Sequence, residues 1–402
     1  MNPHHQRYRW VLLGALWMVY FSFGLTVLSM APLLETIRAD LGISKGAMGA
    51  VLGAWPLVYL VSALPAGTLI DKLGLRHSLA IATVIIAISA LLRPLAGDFW
   101  PMFGAVAMFG LGGPLVSVGA PKLVSVWFAE EERALAMSIT LTAPTIGNVL
   151  PLVTANSVLM PAFDQNWRTT LLVYALVAVA VIAIWLAAAT VAERVAPGAD
   201  RSQQSSPGFA GAWQLLGLRP VQNLLLMAIG MFFFGHALNG WLPTVIEDRG
   251  FASSTAGYLV GAVISLSIVG ALFGPRLIPA HRRFAALGAV MSVLGTATIL
   301  IMIEGRPSTL AGLVLVGLSR GMAAPIALLG MMLLPGVSQR NLGVAGGLFF
   351  TAGEIGGVTG PILFGVMADV GGSTAGLVLL TAVAATTAAL ALALQSSLAR
   401  AP

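Results

Sequence analysis

The sequence predicts an all-α membrane protein, with twelve transmembrane helices arranged as two parallel repeats of six. Three observations carry that expectation. Of the 402 residues, 58% are hydrophobic and only 9% charged, whereas a soluble domain carries about 25% charged residues. Uncharged runs alternate with short charged clusters along the whole chain. The second half also repeats features of the first at a nearly constant offset.

The runs, in order, are 10–34, 46–70, 78–92, 99–121, 134–163, 169–192, 220–246, 250–275, 284–303, 307–339, 341–368 and 370–399, with Arg320 interrupting the tenth and Glu354 the eleventh. Nearly all reach the roughly 20 residues that cross a bilayer. The third is the shortest and extends over Arg93 into 94–97. Backbone groups in hydrocarbon have no water to satisfy them, so such spans are helices. The first run is too long for a signal-peptide core and reads as a retained first helix. With the N-terminus placed inside, inner segments hold thirteen of the 21 Lys and Arg residues and outer segments six, while Lys122 and Arg320 lie within spans. That excess predicts a multi-pass inner-membrane protein with both termini cytoplasmic. The net charge of +6 then reflects topology, and the partner it implies is the lipid bilayer rather than nucleic acid. With no cysteine there is no disulfide or thiolate metal site. His4 and His5 are too few to hold a metal, and no cofactor is expected.

The longest polar stretch, "ERVAPGADRSQQSSPGFAGAWQLLGLR" (193–219), has the Pro, Gly, Ser and Gln content of a flexible linker. It separates a bundle over 1–192 from a bundle over 220–402. At an offset of 207 residues, Gly67 meets Gly274, Arg76 meets Arg283, "FGLGG" (109–113) falls on "VGLSR" (316–320), and Arg133 falls on Arg340. At 211, "FSFGLTVLSMAP" (21–32) lies on "FFFGHALNGWLP" (232–243). One register held across four spans predicts two repeats of six spans in the same orientation.

The loop "GTLIDKLGLRH" (67–77), with Gly67, Asp71, Lys72, Gly74 and Arg76, resembles the signature loop of the major facilitator superfamily. Twelve spans, the central linker and the six-plus-six repeat extend that resemblance over the full chain. More narrowly, "PLLETIRADLGIS" (32–44), "WFAEEERALAMSI" (127–139) and "NGWLPTVIEDRGFASSTAGYL" (239–259) resemble the cyanate and nitroimidazole-type carriers, and "PKLVSVWFAEEERA" (121–134) is similar to haem or choline exporters. Two departures weigh against a drug antiporter. Val106 stands where the fourth-span motif often has arginine, and the antiporter signature of span five appears only as "APTIGNVLP" (143–151).

The resemblance implies the major facilitator fold, alternating access, and a latch between the halves on the inner side. In that latch Asp71 faces the N-terminus of helix eleven, where a carboxylate is stabilised by about 0.3–1 kcal/mol. Arg76 reaches an acid of "EEE" (130–132), foremost Glu130, next to Arg133. The second half has Ile278 at the Asp71 position, which leaves one latch and a vestigial copy. Read without the resemblance, these charges are solvated loop residues of the positive-inside side.

Arg320 is the charge that most needs explaining, because a cation at a helix centre in lipid costs about 2.5–3.5 kcal/mol on insertion scales. The resemblance implies that helices one, four, seven and ten line the transport path. Arg320 lies near the middle of helix ten, His236 and Asn239 on helix seven, Tyr20 with Ser22 and Thr26 on helix one, and Lys122 on helix four, about 12 Å to the cytoplasmic side of its midpoint. These make Arg320, His236, Asn239, Tyr20 and Lys122 the candidate substrate-binding set. Lys122 can alternatively snorkel to the headgroups, and Trp55, Tyr59 and Trp241 fit packing as well as ligand stacking.

Glu354 sits mid-helix among glycines in "GLFFTAGEIGGVTGP" (347–361). Gly353/Gly357 and Gly356/Gly360 form small-xxx-small pairs that let a neighbouring helix approach. In one reading Glu354 is a proton-coupling carboxylate and Arg320 alternates between it and an anionic substrate. In the other, Arg320 and Glu354 form a static buried pair, which says little about function.

The expected function is secondary active transport of a small organic solute, an anion, driven by a proton gradient in a monomeric carrier. The alternative is proton-driven efflux of amphipathic compounds. No GxxxxGK[ST] loop supports ATP-driven transport. No HExxH, no GxSxG with a partner histidine and no paired intramembrane aspartates support an enzyme. The linker has no room for the soluble domain of a sensor.

Overall fold

A computed structural model describes residues 3–195, 210–338 and 341–399, and no strand occurs among them. Eleven helices are long and apolar enough to cross a membrane. The last of them, Leu342–Ala399, breaks at Gly371 and Gly372 into two spans, which brings the count to the expected twelve. Gly372 has φ 66°, a left-handed conformation that costs glycine nothing because it lacks a Cβ.

Span one is Pro3–Leu28; spans two and three share Lys45–Leu92; spans four to six are Phe99–Trp127, Glu130–Thr154 and Trp167–Val195. Spans seven to ten are Arg219–Asp248, Ser253–Phe273, Arg283–Met302 and Arg306–Met331, and spans eleven and twelve share Leu342–Ala399. Gly74, at φ 80° and ψ 162°, makes the turn between spans two and three. Span four starts at an N-cap, where the Asp98 side chain accepts the Trp100 N–H at 2.9 Å.

The chain divides into two compact units, Met1–Ile43 with Ala54–Ser206, and Ser44–Gly53 with Pro207–Pro402. The expected bundle over 1–192 therefore differs in one segment, because the first turns of span two pack with the second unit. The cause is a row of small residues. A Cβ at Gly49 would strike the backbone of Pro361 and Ile362, and one at Gly53 would meet the Val358 carbonyl at 2.8 Å. The linker expected at 193–219 falls largely outside the described residues. At its edges, 193–195 finish span six and Ala210–Leu216 forms a short helix.

The first unit closes over Leu16, Val19, Ile86, Phe109, Val116, Trp127 and Trp185, all buried. Arg93, over which the third run is expected to extend, is buried at the end of span three. It is 2% exposed, donating to the Thr26 carbonyl, to Ser29 Oγ at 3.1 Å and to Ser89 Oγ at 3.4 Å. Thr26 lies in the last turn of span one, whose carbonyls lack intrahelical partners. The guanidinium thus caps that helix end.

In the second unit, span eleven lies against span seven on its glycine face. A Cβ at Gly356 would strike the Ile229 carbonyl and the Phe233 N–H, and one at Gly360 the Phe233 carbonyl. Trp241, 1% exposed, closes this seam by donating Nε1–H to the Pro361 carbonyl at 3.1 Å and stacking on Phe364 at 5.6 Å.

Candidate functional site

Helical geometry places His236 and Asn239 on one face of span seven, since residues three apart are neighbours on a helix surface. Arg320 enters from span ten and donates Nη2–H to Asn239 Oδ1 at 2.7 Å. That contact uses one of its five N–H donors, and the acceptor is neutral. No ion pair among the described residues includes Arg320 or Glu354. The static Arg320–Glu354 pair weighed above is thus not formed, and the cation stays uncompensated.

Glu354 faces the same side of the second unit from span eleven. It is 8% exposed, and its Oε2 has no hydrogen-bond partner among the described residues. His236 Nδ1 lies 3.1 Å from the Phe232 carbonyl. A carbonyl only accepts, so Nδ1 carries the proton. Gly357, one turn beyond Glu354, brings the two groups together: a Cβ there would lie 2.7 Å from Glu354 Oε2 and 2.9 Å from His236 Nδ1. Arg320 is near enough to His236 to act on it electrostatically. Four of the expected residues, His236, Asn239, Arg320 and Glu354, are therefore gathered within the second unit.

The other candidates sit in the first unit. Tyr20 hydrogen-bonds Ser117 on span four and meets Phe23 edge-on at 5.7 Å. Ser22 and Thr26 are buried, and Ser22 donates back to the Val19 carbonyl of its own helix at 2.8 Å. Lys122 pairs with Asp71 across spans four and two. Its ammonium is thereby paired with the signature loop. Within that loop Gly67 is half-buried and Lys72 exposed.

Arg76 reaches Thr190 Oγ1 at 3.1 Å. Of the acidic triplet it is Glu132 that is engaged, by both terminal nitrogens of Arg9 at 2.6 Å. Arg133 folds back on the carbonyls of Phe128 and Ser125, at 3.1 and 2.8 Å. These tether the start of span five.

Sequence reasoning missed one polar device. Asp369, where span eleven gives way to span twelve, accepts the backbone N–H of Lys45 at 2.8 Å and of Gly46 at 2.7 Å, capping the first turn of span two. A carboxylate there meets the positive end of the helix dipole. Slight burial pushes its carboxyl up, but the N–H donors of Gly46 and Lys45, with the Ser44 hydroxyl and the Lys45 charge, outweigh this and hold it below the ordinary range. "SKGAMG" (44–49), where serine precedes a helix start, was the available signal. Its partner, more than 320 residues away, left none.

Comparison with known proteins follows the same lines. The family model described as Major Facilitator Superfamily matches residues 16–361. Among curated relatives, the uncharacterized transporter YycB of Bacillus subtilis is 24% identical, covering 92% of this chain and 89% of its own. The hexuronate transporter of the same organism is 23% identical over 88% and 87%. The 2-nitroimidazole transporter of Escherichia coli is 24% identical over 91% and 90%, so the relatives do not single out the nitroimidazole-type subgroup. Among solved structures, a bacterial homolog of the human lysosomal transporter Spinster, inward-facing and unoccupied, superposes with a TM-score of 0.79 at 15% identity, covering 98% of both chains. That likeness concerns the fold.

Proposed function

Since the chain belongs to the major facilitator superfamily, we propose that it carries a small organic anion across the membrane by alternating access, with proton flux through Glu354 as the driving force. At the coarser level it is a multi-pass secondary transporter of small solutes and not an enzyme. The observation that carries the anion reading is Arg320, a midspan guanidinium whose described partner is the neutral Asn239. A half-buried midspan charge without a counter-ion is costly, and an anionic solute supplies one. The planar fork left free on Arg320 fits a carboxylate with two parallel hydrogen bonds. The relative named as a hexuronate transporter suggests carboxylated sugars as the first class to try.

In this reading His236 and Asn239 border the bound solute, and Asp71, paired with Lys122, belongs with Gly67, Lys72, Gly74, Arg76, Glu130 and Arg133 to gating. The test is binding of D-glucuronate to the purified protein, with galactose as the uncharged control, followed by uptake into proteoliposomes with and without a proton gradient. Charge-assisted hydrogen bonds contribute about 1.5–3 kcal/mol each, so Arg320→Gln weakens D-glucuronate binding by about 10- to 150-fold. Unchanged binding in Arg320→Gln, or gradient-driven efflux of lipophilic cations from the wild-type vesicles with no anion uptake, would refute the reading.

A further inference from the structure

We infer that His236 is the hydrogen-bond donor that allows Glu354 to release its proton, and that Gly357 is the gap through which the two groups meet. The inference rests on Glu354 being the proton site proposed above, and adds how a carboxyl this deeply buried can ionise at all.

An ionised carboxylate in apolar surroundings needs donors or a counter-charge. Glu354 Oε2 has no partner among the described residues. The charged and titratable groups around it are few. Span seven contributes His236, span ten contributes Arg320, residues 253–273 of span eight hold Tyr258 alone, exposed near its outer end, and residues 373–399 of span twelve contain none. Lys45, at the start of span two, lies in the turn capped by Asp369. Arg320 is turned to Asn239. The donor that remains close is His236 Nδ1–H, at present against the Phe232 carbonyl.

That carbonyl lies one helical turn before His236 and also serves the backbone ladder, so it is not left unsatisfied when the imidazole turns away. A modest ring rotation transfers the Nδ1–H from carbonyl to carboxylate. With Glu354 protonated, the ring stays on Phe232 and the carboxyl is neutral. With the proton gone to solvent, the ring swings to Oε2 and the new charge gains a donor. No proton is exchanged between the two side chains. His236 is thus a positioning residue for the coupling step.

Gly357 makes the swing possible. A methyl at this position would lie between Oε2, at 2.7 Å, and Nδ1, at 2.9 Å. Both atoms are ends of side chains that can move aside. At Gly356 the obstacles are backbone atoms of Ile229 and Phe233. Gly357→Ala therefore keeps the helix packing and separates the carboxylate from the ring.

The experiment uses full-length protein in proteoliposomes and infrared difference spectroscopy. The carbonyl stretch of protonated Glu354 is first assigned by its loss in Glu354→Gln. In Gly357→Ala and in His236→Gln that band is expected to change frequency. Uptake of D-glucuronate against a gradient, which requires proton release, should fall at least tenfold. Exchange of internal for external D-glucuronate, which can proceed with the proton retained, should stay within twofold of wild type in Gly357→Ala. If Gly357→Ala does not fold, His236→Gln is read on the Glu354 band and on driven uptake alone. A Glu354 band unmoved in both variants, with driven uptake intact, overturns the inference and leaves the proton site standing. If no wild-type band depends on Glu354, the proton site itself fails, and the inference with it.

Discussion

Replacing Gly356 by alanine tests the packing on which the candidate site is built. The added methyl would overlap the Ile229 carbonyl and the Phe233 N–H, and neither can rotate away, so spans seven and eleven must separate. A radial gap of 0.5–1 Å forfeits about a quarter to a half of each van der Waals contact. For a seam of roughly 50 atom pairs at about 0.1–0.2 kcal/mol each, the loss is about 1–5 kcal/mol, which spans the usual overpacking costs of about 1–3 kcal/mol. Breakage of the Trp241 Nε1–H bond to Pro361 would add to it. The assay is thermal unfolding in detergent followed by tryptophan emission, since Trp241 lies in this seam. Gly356→Ala should melt several degrees below wild type, and Gly357→Ala close to wild type. Equal melting of Gly356→Ala and wild type would show that the helices are not in backbone contact, and the placement of Glu354 beside His236 would lose its support.

Lys122→Ala removes a partly exposed ion pair with Asp71, worth about 0.2–1 kcal/mol. It should lower the melting temperature only slightly and leave D-glucuronate affinity unchanged, and the exchanged pair Asp71→Lys with Lys122→Asp should recover the loss; an affinity drop of tenfold would return Lys122 to the substrate set. Asp369→Asn should destabilise the protein in a pH-dependent way. Because the folded carboxyl is held below its ordinary 3.8, its contribution is present above that pH and is lost as pH falls through the depressed folded value. The melting difference from wild type should be full at pH 6 and vanish on acidification; a constant difference would show that Asp369 acts by packing alone.

The fold was legible because its cause is one-dimensional. Uncharged runs of bilayer length leave the backbone no alternative to helix, and Gly74 and Gly372 mark turns that need a left-handed residue. The site was legible in part. His236, Asn239, Arg320 and Glu354 stood out as polar groups where hydrocarbon penalises them, and they do share one unit. What the sequence could not give was partnership. Lys122 and Arg320 look alike as lone cations in apolar runs, yet one pairs with the carboxylate of Asp71 and the other hydrogen-bonds the neutral Asn239. Nothing local to Arg93 announces that Thr26, Ser29 and Ser89 will surround it. Gly357 was read as a packing residue like its neighbours; only the third dimension separates a glycine facing backbone from one facing two side-chain tips.

The seam between spans seven and eleven has one more consequence. Where Gly356 and Gly360 bring two backbones into direct contact, no acyl chain can wedge between them, and the contact needs no lipid to complete it. That part of the second unit should tolerate transfer among bilayers and micelles of different chain length. The Asp369 cap, held by polar atoms at an exposed edge, is instead open to headgroups and ions, so sensitivity to the surrounding amphiphile should appear there first.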